Sequence, residues 1–555
     1  MLRRLTDTVA RVALGASILL MWPFLLTLAG VALPTLDGSV VVKVVALKVD
    51  RPLLTLWAAA AVVSMVRKSR PAAFAVTGLL AFSACFGERI FAAATVAVTI
   101  AATAFSVRYA AASLLLGVTV FELLRVAYLL LSIYGVILPG SEALEGVHYS
   151  LYAPLTWVLP LLALAACLAP VARLLFQDAV KPGRGSNGLP PARLTLPLSL
   201  ALAVLLWLLM YKSPLNTGRL VGVDAPVYHG FAERMLAEGY LSVTMNAFCD
   251  RPLFMLLLMS LAAAVGSRAA VEAMPLICLT ANALAAYALG SAIEGKKLGG
   301  LAALLSTMTY TTTAGIFAGY YANWLTLAVS QLAAAALTLW LKERKLKHLI
   351  LAASLASVAI TMHVHMGLVI TTALAAACTL AAITRPNRAT AFAAALVLAT
   401  PLATAALVNQ LQKTWGGSCA MLEVSMSLAG QWGIDREAVE AGLPLSEKWW
   451  NALHFALYNW MFTAALDPTD WLLLTVTALT APLPQALTLL AWLLTSGLMT
   501  VTAPSSPLIH RALYSLPIAT AAAISLEELQ KRELVWAITA FKLSYTLSFI
   551  MGMLA

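Results

Sequence analysis

The sequence predicts an all-α polytopic membrane protein: about 17 transmembrane helices in two bundles, with outer-face loops and interfacial helices between them. Three observations predict it. Of the 555 residues, 61% are hydrophobic and 11% charged, with a mean hydropathy of +0.88, whereas a soluble fold carries about 25% charged residues. Apolar runs of roughly 17–25 residues, each enough helix for about 30 Å of hydrocarbon, recur from end to end. The basic residues stand in short clusters between those runs, the pattern that orients a chain in a bilayer. The net charge of +11 is therefore a topology signal, not a nucleic-acid footprint. Membrane lipids are expected partners and nucleic acid is not. The expected location is the plasma membrane, crossed many times.

The elements follow from the charge clusters in order. "MLRR" starts inside, and the run 10–33 is long enough to serve as a retained anchor rather than a cleaved signal peptide. Span 52–66 returns to "RKSR" at 67–70, and span 71–86 rises again, which delivers Cys85 to the outer face. Span 89–106 descends to Arg108, span 109–135 rises, and 151–173 descends. The stretch "RLLFQDAVKPGRGSNGLPPARL" that follows is rich in Gly, Pro and basic residues, so no helix runs through it. It divides the chain into a membrane domain at 1–176, a cytoplasmic linker at 177–194 and a second membrane domain at 195–555.

In the second domain, span 195–211 rises to a long polar loop. The clusters "EGKKLGG", "KERKLKH" and "TRPNR" then alternate with spans 271–292, 301–317, 324–341, 348–362, 367–383 and 389–408. That alternation leaves 252–266 no full crossing, so it lies along the outer surface or re-enters. Residues 411–450 form another outer segment, and "WWNALHFALYNWMF" after them reads as an interfacial helix in the aromatic belt. The six cysteines show no CxxC spacing. Cys249 and Cys419 both fall in expected outer loops, and whether they pair stays open.

In the first domain, one stretch carries more chemistry than a bilayer filler needs. "FSACFGERIF" places Cys85, Gly87, Glu88 and Arg89 at the top of a span. Arg125 lies 17 residues beyond Arg108, about 25 Å of helix rise, so it too approaches the outer surface. His148 falls in the outer loop "LPGSEALEGVHYS". A thiol becomes a thiolate nucleophile beside His or a cation, and an arginine beside it holds an oxyanion or a carboxylate. The alternative is Cys85 as a small buried hydrophobe and His148 as a loop residue.

"SACFGERIF", "SVRYAAASLLLGVTVFELLRVAYLL" and "EGVHYS" resemble, in order, the core of the exosortase/archaeosortase family over about residues 50–175. The resemblance implies Cys85 as nucleophile, His148 as general base or acid and Arg125 as clamp. Glu122 stands where the family has Asn, one turn before Arg125, and is counted with Arg108 in the substrate-binding set. It also implies cleavage of C-terminal sorting tails on exported proteins, with transfer to a lipid or other acceptor and no cofactor.

The second domain gathers Asp224, Tyr228, His229 and Glu233 in its first outer loop, "GYYANW" at 319–324, and "HVHMG" at 363–367. His363 and His365 would share a metal only if a helix ends there; otherwise they point about 200° apart. "GVDAPVYHGFAERMLAEGY" followed by "DRPLFMLLLMSL" resembles the first outer loop of GT-C membrane glycosyltransferases. That implies polyprenyl-linked sugar as substrate and Asp224 as base or metal ligand, with Mg or Mn as the candidate divalent ion. It also implies a phosphate grip by His510 and Arg511 in "SSPLIHRALYSLP". Both sites would face outward. Two readings from other classes stand beside this one: a transporter or lipid flippase, and a non-catalytic scaffold for envelope assembly.

Overall fold

A computed structural model describes residues 107–133, 163–170, 189–384, 387–422, 467–481, 483–502, 512, 515–528 and 532–554. Outside them lie Cys85, His148, His510 and Arg511, the expected spans from 10 to 106, most of span 151–173, most of the linker and the aromatic segment at 449–462; the Arg108 side chain is not described either. The structure is 86% helical, with no strand among the described residues. Seven helical segments there are long and apolar enough to cross a membrane, which marks an all-α membrane protein.

The first described helix is α1, Val107–Ile133. The series then runs α2 (Ala192–Tyr211), α3 (Ala225–Glu238), α4 (Tyr240–Thr244), α5 (Pro252–Val265), α6 (Ser267–Glu294), α7 (Lys296–Ser306), α8 (Tyr310–Ala318) and α9 (Tyr321–Glu343). It continues with α10 (Leu346–Met362), α11 (Val364–Thr384), α12 (Arg388–Thr414), α13 (Pro468–Thr480), α14 (Leu483–Thr502), α15 (Ile518–Glu528) and α16 (Arg532–Leu554). The chain separates into two compact units, residues 1–157 with 533–553, and residues 158–532.

Local chemistry sets the boundaries. Pro226 and Pro252 stand in the first turns of α3 and α5, where a missing N–H costs nothing. α3, α5 and α6 end at Gly239, Gly266 and Gly295, all at positive φ. Asn387 caps α12 through the Ala389 N–H (2.8 Å), and Asp467 caps α13 through the Thr469 N–H (2.8 Å). The expected spans 271–292, 367–383 and 389–408 are found as α6, α11 and α12, and 348–362 is helical as α10, a shorter apolar helix. α5 has 14 residues, about 21 Å of rise, too short to cross.

The span expected at 301–317 is interrupted. α7 ends at Ser306 and α8 begins at Tyr310, within one apolar segment, Lys296–Ala318. The break puts peptide groups at risk in a dry interior, and hydroxyls and a carboxylate satisfy them. Asp470 on α13 accepts from the Tyr310 N–H (2.6 Å), and the Thr312 hydroxyl donates to the Ser306 carbonyl (2.6 Å).

In the second unit α6 packs along α7 and α9, α9 along α10, and α11 against α12 and α14. Between α6 and α9 the Asn282 amide donates to the Cys278 and Trp324 carbonyls (3.0 Å each), and Gln331 donates to the Asn282 Oδ1 (3.1 Å). α3 and α5 pack on one another, and α5 reaches α6 and α10. They cover the end of this unit at which α10 passes into α11, and there the polar groups gather.

Candidate functional site

The site in the second unit begins with a close approach that only glycine permits. Gly222 (φ +106) lies against Gly319 (φ +69), and a Cβ on Gly222 would sit 2.7 Å from the Gly319 Cα. This lets the Val223 and Asp224 N–H groups donate to the Phe317 and Ala318 carbonyls (3.0 and 2.8 Å). The two loops singled out in the sequence, around Asp224 and around "GYYANW", are therefore one surface. Asp224 becomes the N-cap of α3 with its carboxylate partly exposed.

One turn later Tyr228 points inward and is buried. Its ring stacks on Tyr321 (centroids 5.6 Å apart), and the Tyr321 hydroxyl donates to the Val221 carbonyl (2.9 Å). Beside Tyr228 lies a pair that the sequence reading gave no role, Asp250 and Arg251. The Arg251 Nε and Nη2 donate to the two Asp250 oxygens (3.0 and 2.9 Å), Nη1 donates to the Tyr228 hydroxyl (3.0 Å), and Phe248 lies under the guanidinium at 4.6 Å. Asp250 is 3% exposed and Arg251 8%. Burial works against the Arg251 charge, but Asp250 and Tyr228 outweigh it and hold the cation firmly protonated. Burial likewise pushes the Tyr228 phenol up, opposed by Arg251 and reinforced by Asp224.

The histidines arrive from the α10–α11 junction. His363 ends α10 with extended backbone (φ −162, ψ 107), so the helix does break there. The break brings the His363 and His365 rings to 5.6 Å between centroids, which the 200° separation on a continuous helix would forbid. His363 Nε2 lies 3.9 Å from the Asp250 Oδ2, and the Val364 N–H donates to the Asp250 carbonyl (3.0 Å). Among the described residues no three His, Cys, Asp or Glu side chains converge to hold a metal ion. Asp250 is engaged by Arg251, and Asp224 stands at the start of α3.

A disulfide fastens the site. Cys249 pairs with Cys419, with Cα atoms 6.0 Å apart, answering the question that spacing left open. Gln412 donates to the Cys249 carbonyl (3.1 Å) and accepts from the Met421 N–H (2.8 Å), and the Cys419 N–H donates to the Met245 carbonyl (3.1 Å). Of the expected site residues, Asp224, Tyr228, His363 and His365 are thus brought to one end of the second unit. His229 is turned to Ser267 (3.3 Å) and Glu233 (3.5 Å) instead, because adjacent helical residues face about 100° apart. The signal that would have found Asp250–Arg251 was on view: "DRPLF" sets two charges directly before an apolar helix.

In the first unit, Arg125 is 4% exposed and Glu122 is buried one turn earlier. The Arg125 Nη1 donates to the Ser548 Oγ (2.7 Å) and carbonyl (3.0 Å). No protein-family model matches the chain, and no curated protein or solved structure is significantly similar to it.

Proposed function

We propose that the chain is a membrane enzyme of exported-protein and envelope processing. Its first part is a Cys-dependent transpeptidase that removes C-terminal sorting tails, and its second part binds or transfers a polyprenyl-linked sugar on the outer face. The observation that carries the reading is the docking of the Asp224 loop on residues 317–319, beside the Tyr228–Arg251–Asp250–His363 cluster. It gives a half-buried Asp224 one helical turn from Tyr228, whose hydroxyl accepts from the buried Arg251, in a segment between spans rather than inside one. Asp224 would take the proton of an acceptor hydroxyl. The disulfide supports the outward orientation, since such bonds persist in oxidising compartments. For the first part, support comes from the order of Cys85, Arg125 and His148 and from a buried arginine held by hydrogen bonds, the kind of costly group that membranes retain for function.

Two measurements test this. Cys85→Ala should leave the amount of chain in the membrane unchanged and leave hydrophobic C-terminal tails on exported proteins, read by mass spectrometry of their C-terminal peptides; tail removal at the normal rate would refute the transpeptidase. Asp224→Asn should lower transfer from a radiolabelled polyprenyl-phosphate sugar in membranes about a hundredfold or more, and unchanged transfer would remove Asp224 from the chemistry.

One observation favours transport as a second reading. The interrupted span Lys296–Ala318, with Asp470 at the start of its second half, is a feature that transporters place at a binding site. Uptake into proteoliposomes that Asp470→Asn abolishes, with Asp224→Asn silent, would establish that reading over the enzyme.

A further inference from the structure

Arg125 stands out in the first unit because its partner comes from the far end of the chain, 423 residues away. A guanidinium in an apolar helix is tolerated when its donors find acceptors. Two acceptors sit on one residue of α16, the hydroxyl and the carbonyl of Ser548. One turn further along α16, Gly552 leaves the space that the other nitrogen fills: a Cβ there would lie 2.5 Å from the Arg125 Nη2. Lys542 on α16 is also fully buried. Residues 533–553 group with residues 1–157 and apart from the neighbouring 158–532.

We propose that Ser548 and Gly552 are positioning residues for Arg125, so that the last helix is a working part of the first unit rather than the end of the second. Ser548 fixes where the guanidinium points, and Gly552 keeps its place open. This rests on the transpeptidase reading, in which Arg125 clamps the substrate carboxylate or oxyanion. The Ser548 hydroxyl then selects one rotamer of a long side chain before substrate arrives, the form of pre-organisation that sets rate.

The test uses the full chain in cells, with loss of hydrophobic C-terminal tails from exported proteins quantified by mass spectrometry and Cys85→Ala defining zero. Ser548→Ala should slow tail removal about tenfold or more, the usual effect of losing a hydrogen bond to a charged group. Ser548→Thr, which keeps the hydroxyl, should restore the rate to within about twofold. Gly552→Val should match Ser548→Ala, since only the flexible end of Arg125 has to move aside. Normal rates in Ser548→Ala and Gly552→Val, with Arg125→Gln inactive, would overturn the assignment while leaving the transpeptidase standing. Normal processing in Cys85→Ala would remove both. An arm independent of activity places cysteines at 125 and 548, cuts the chain at a protease site inserted in the 177–194 linker, and treats it with a short bis-maleimide. Joined fragments support the contact, and fragments that separate overturn it.

Discussion

Asp250 and Arg251 show what burial does to a charge pair. Two ions out of water cost more than their attraction returns unless further hydrogen bonds complete them. Tyr228 and the face of Phe248 provide that completion. Removing one partner strands the other: Asp250→Asn or Arg251→Met should each lower unfolding stability by about 3 kcal/mol, and the double variant should recover most of the loss. Thermal unfolding of the purified chain in detergent checks this, and strictly additive losses would show that the pair is not coupled. Glu527, near the end of α15 and outside the candidate spans, gives a pH signature. Burial raises its carboxyl to about 8, helped by a hydrogen bond with Glu294. A folded value above the ordinary 4.5 means that the folded chain holds the proton more tightly than the unfolded one. That contribution is whole below the ordinary value and is lost as pH rises through about 8. The melting temperature should therefore fall between about pH 5 and pH 9, and Glu527→Gln should flatten the decline.

At the scale of elements, the site is made by one break and one contact. The break at His363 lets two histidines approach, and the Gly222–Gly319 contact seats the Asp224 loop. Gly222→Ala is strained both by its positive φ and by the backbone it meets. It should cost about 2 kcal/mol or more and displace Asp224 from residues 317–319. Loss of sugar transfer together with a lowered melting temperature is the expected pair of readings; a stable, fully active variant would show the close approach to be dispensable. Helix ends rest on local chemistry, because Pro, Gly, Asn and Asp act on their own neighbours, as at Pro252, Gly295 and Asn387. The interruption inside 301–317 was not legible, because the residue that caps it, Asp470, is 160 positions away.

For the whole molecule, the disulfide joins segments 170 residues apart. Chain cut by a protease between 249 and 419 should remain one band without reductant and become two with it; two bands in both conditions would mean that the cysteines do not pair. Labelling single cysteines at 217, in the loop after α2, and at 296, the first residue of α7, with a reagent that cannot cross the membrane should mark the first in intact cells and the second only after lysis. The reverse result would invert the orientation and place Asp224 in the cytoplasm.

The amino-acid order alone determined the fold class and the places of α6, α11 and α12, because a bilayer requires each span to satisfy its own peptide groups and local composition therefore suffices. It also singled out Asp224, Tyr228, His363 and His365 as polar groups near one end of the helices. Tertiary structure decided which of them meet: it buried Asp250 and Arg251 between Tyr228 and His363, turned His229 away, paired Cys249 with Cys419 and gave Arg125 a partner on the last helix. Those contacts join residues tens to hundreds of positions apart, and their energy comes from removing charge and hydroxyl groups from solvent together, a property of the packed whole that no single stretch of chain carries.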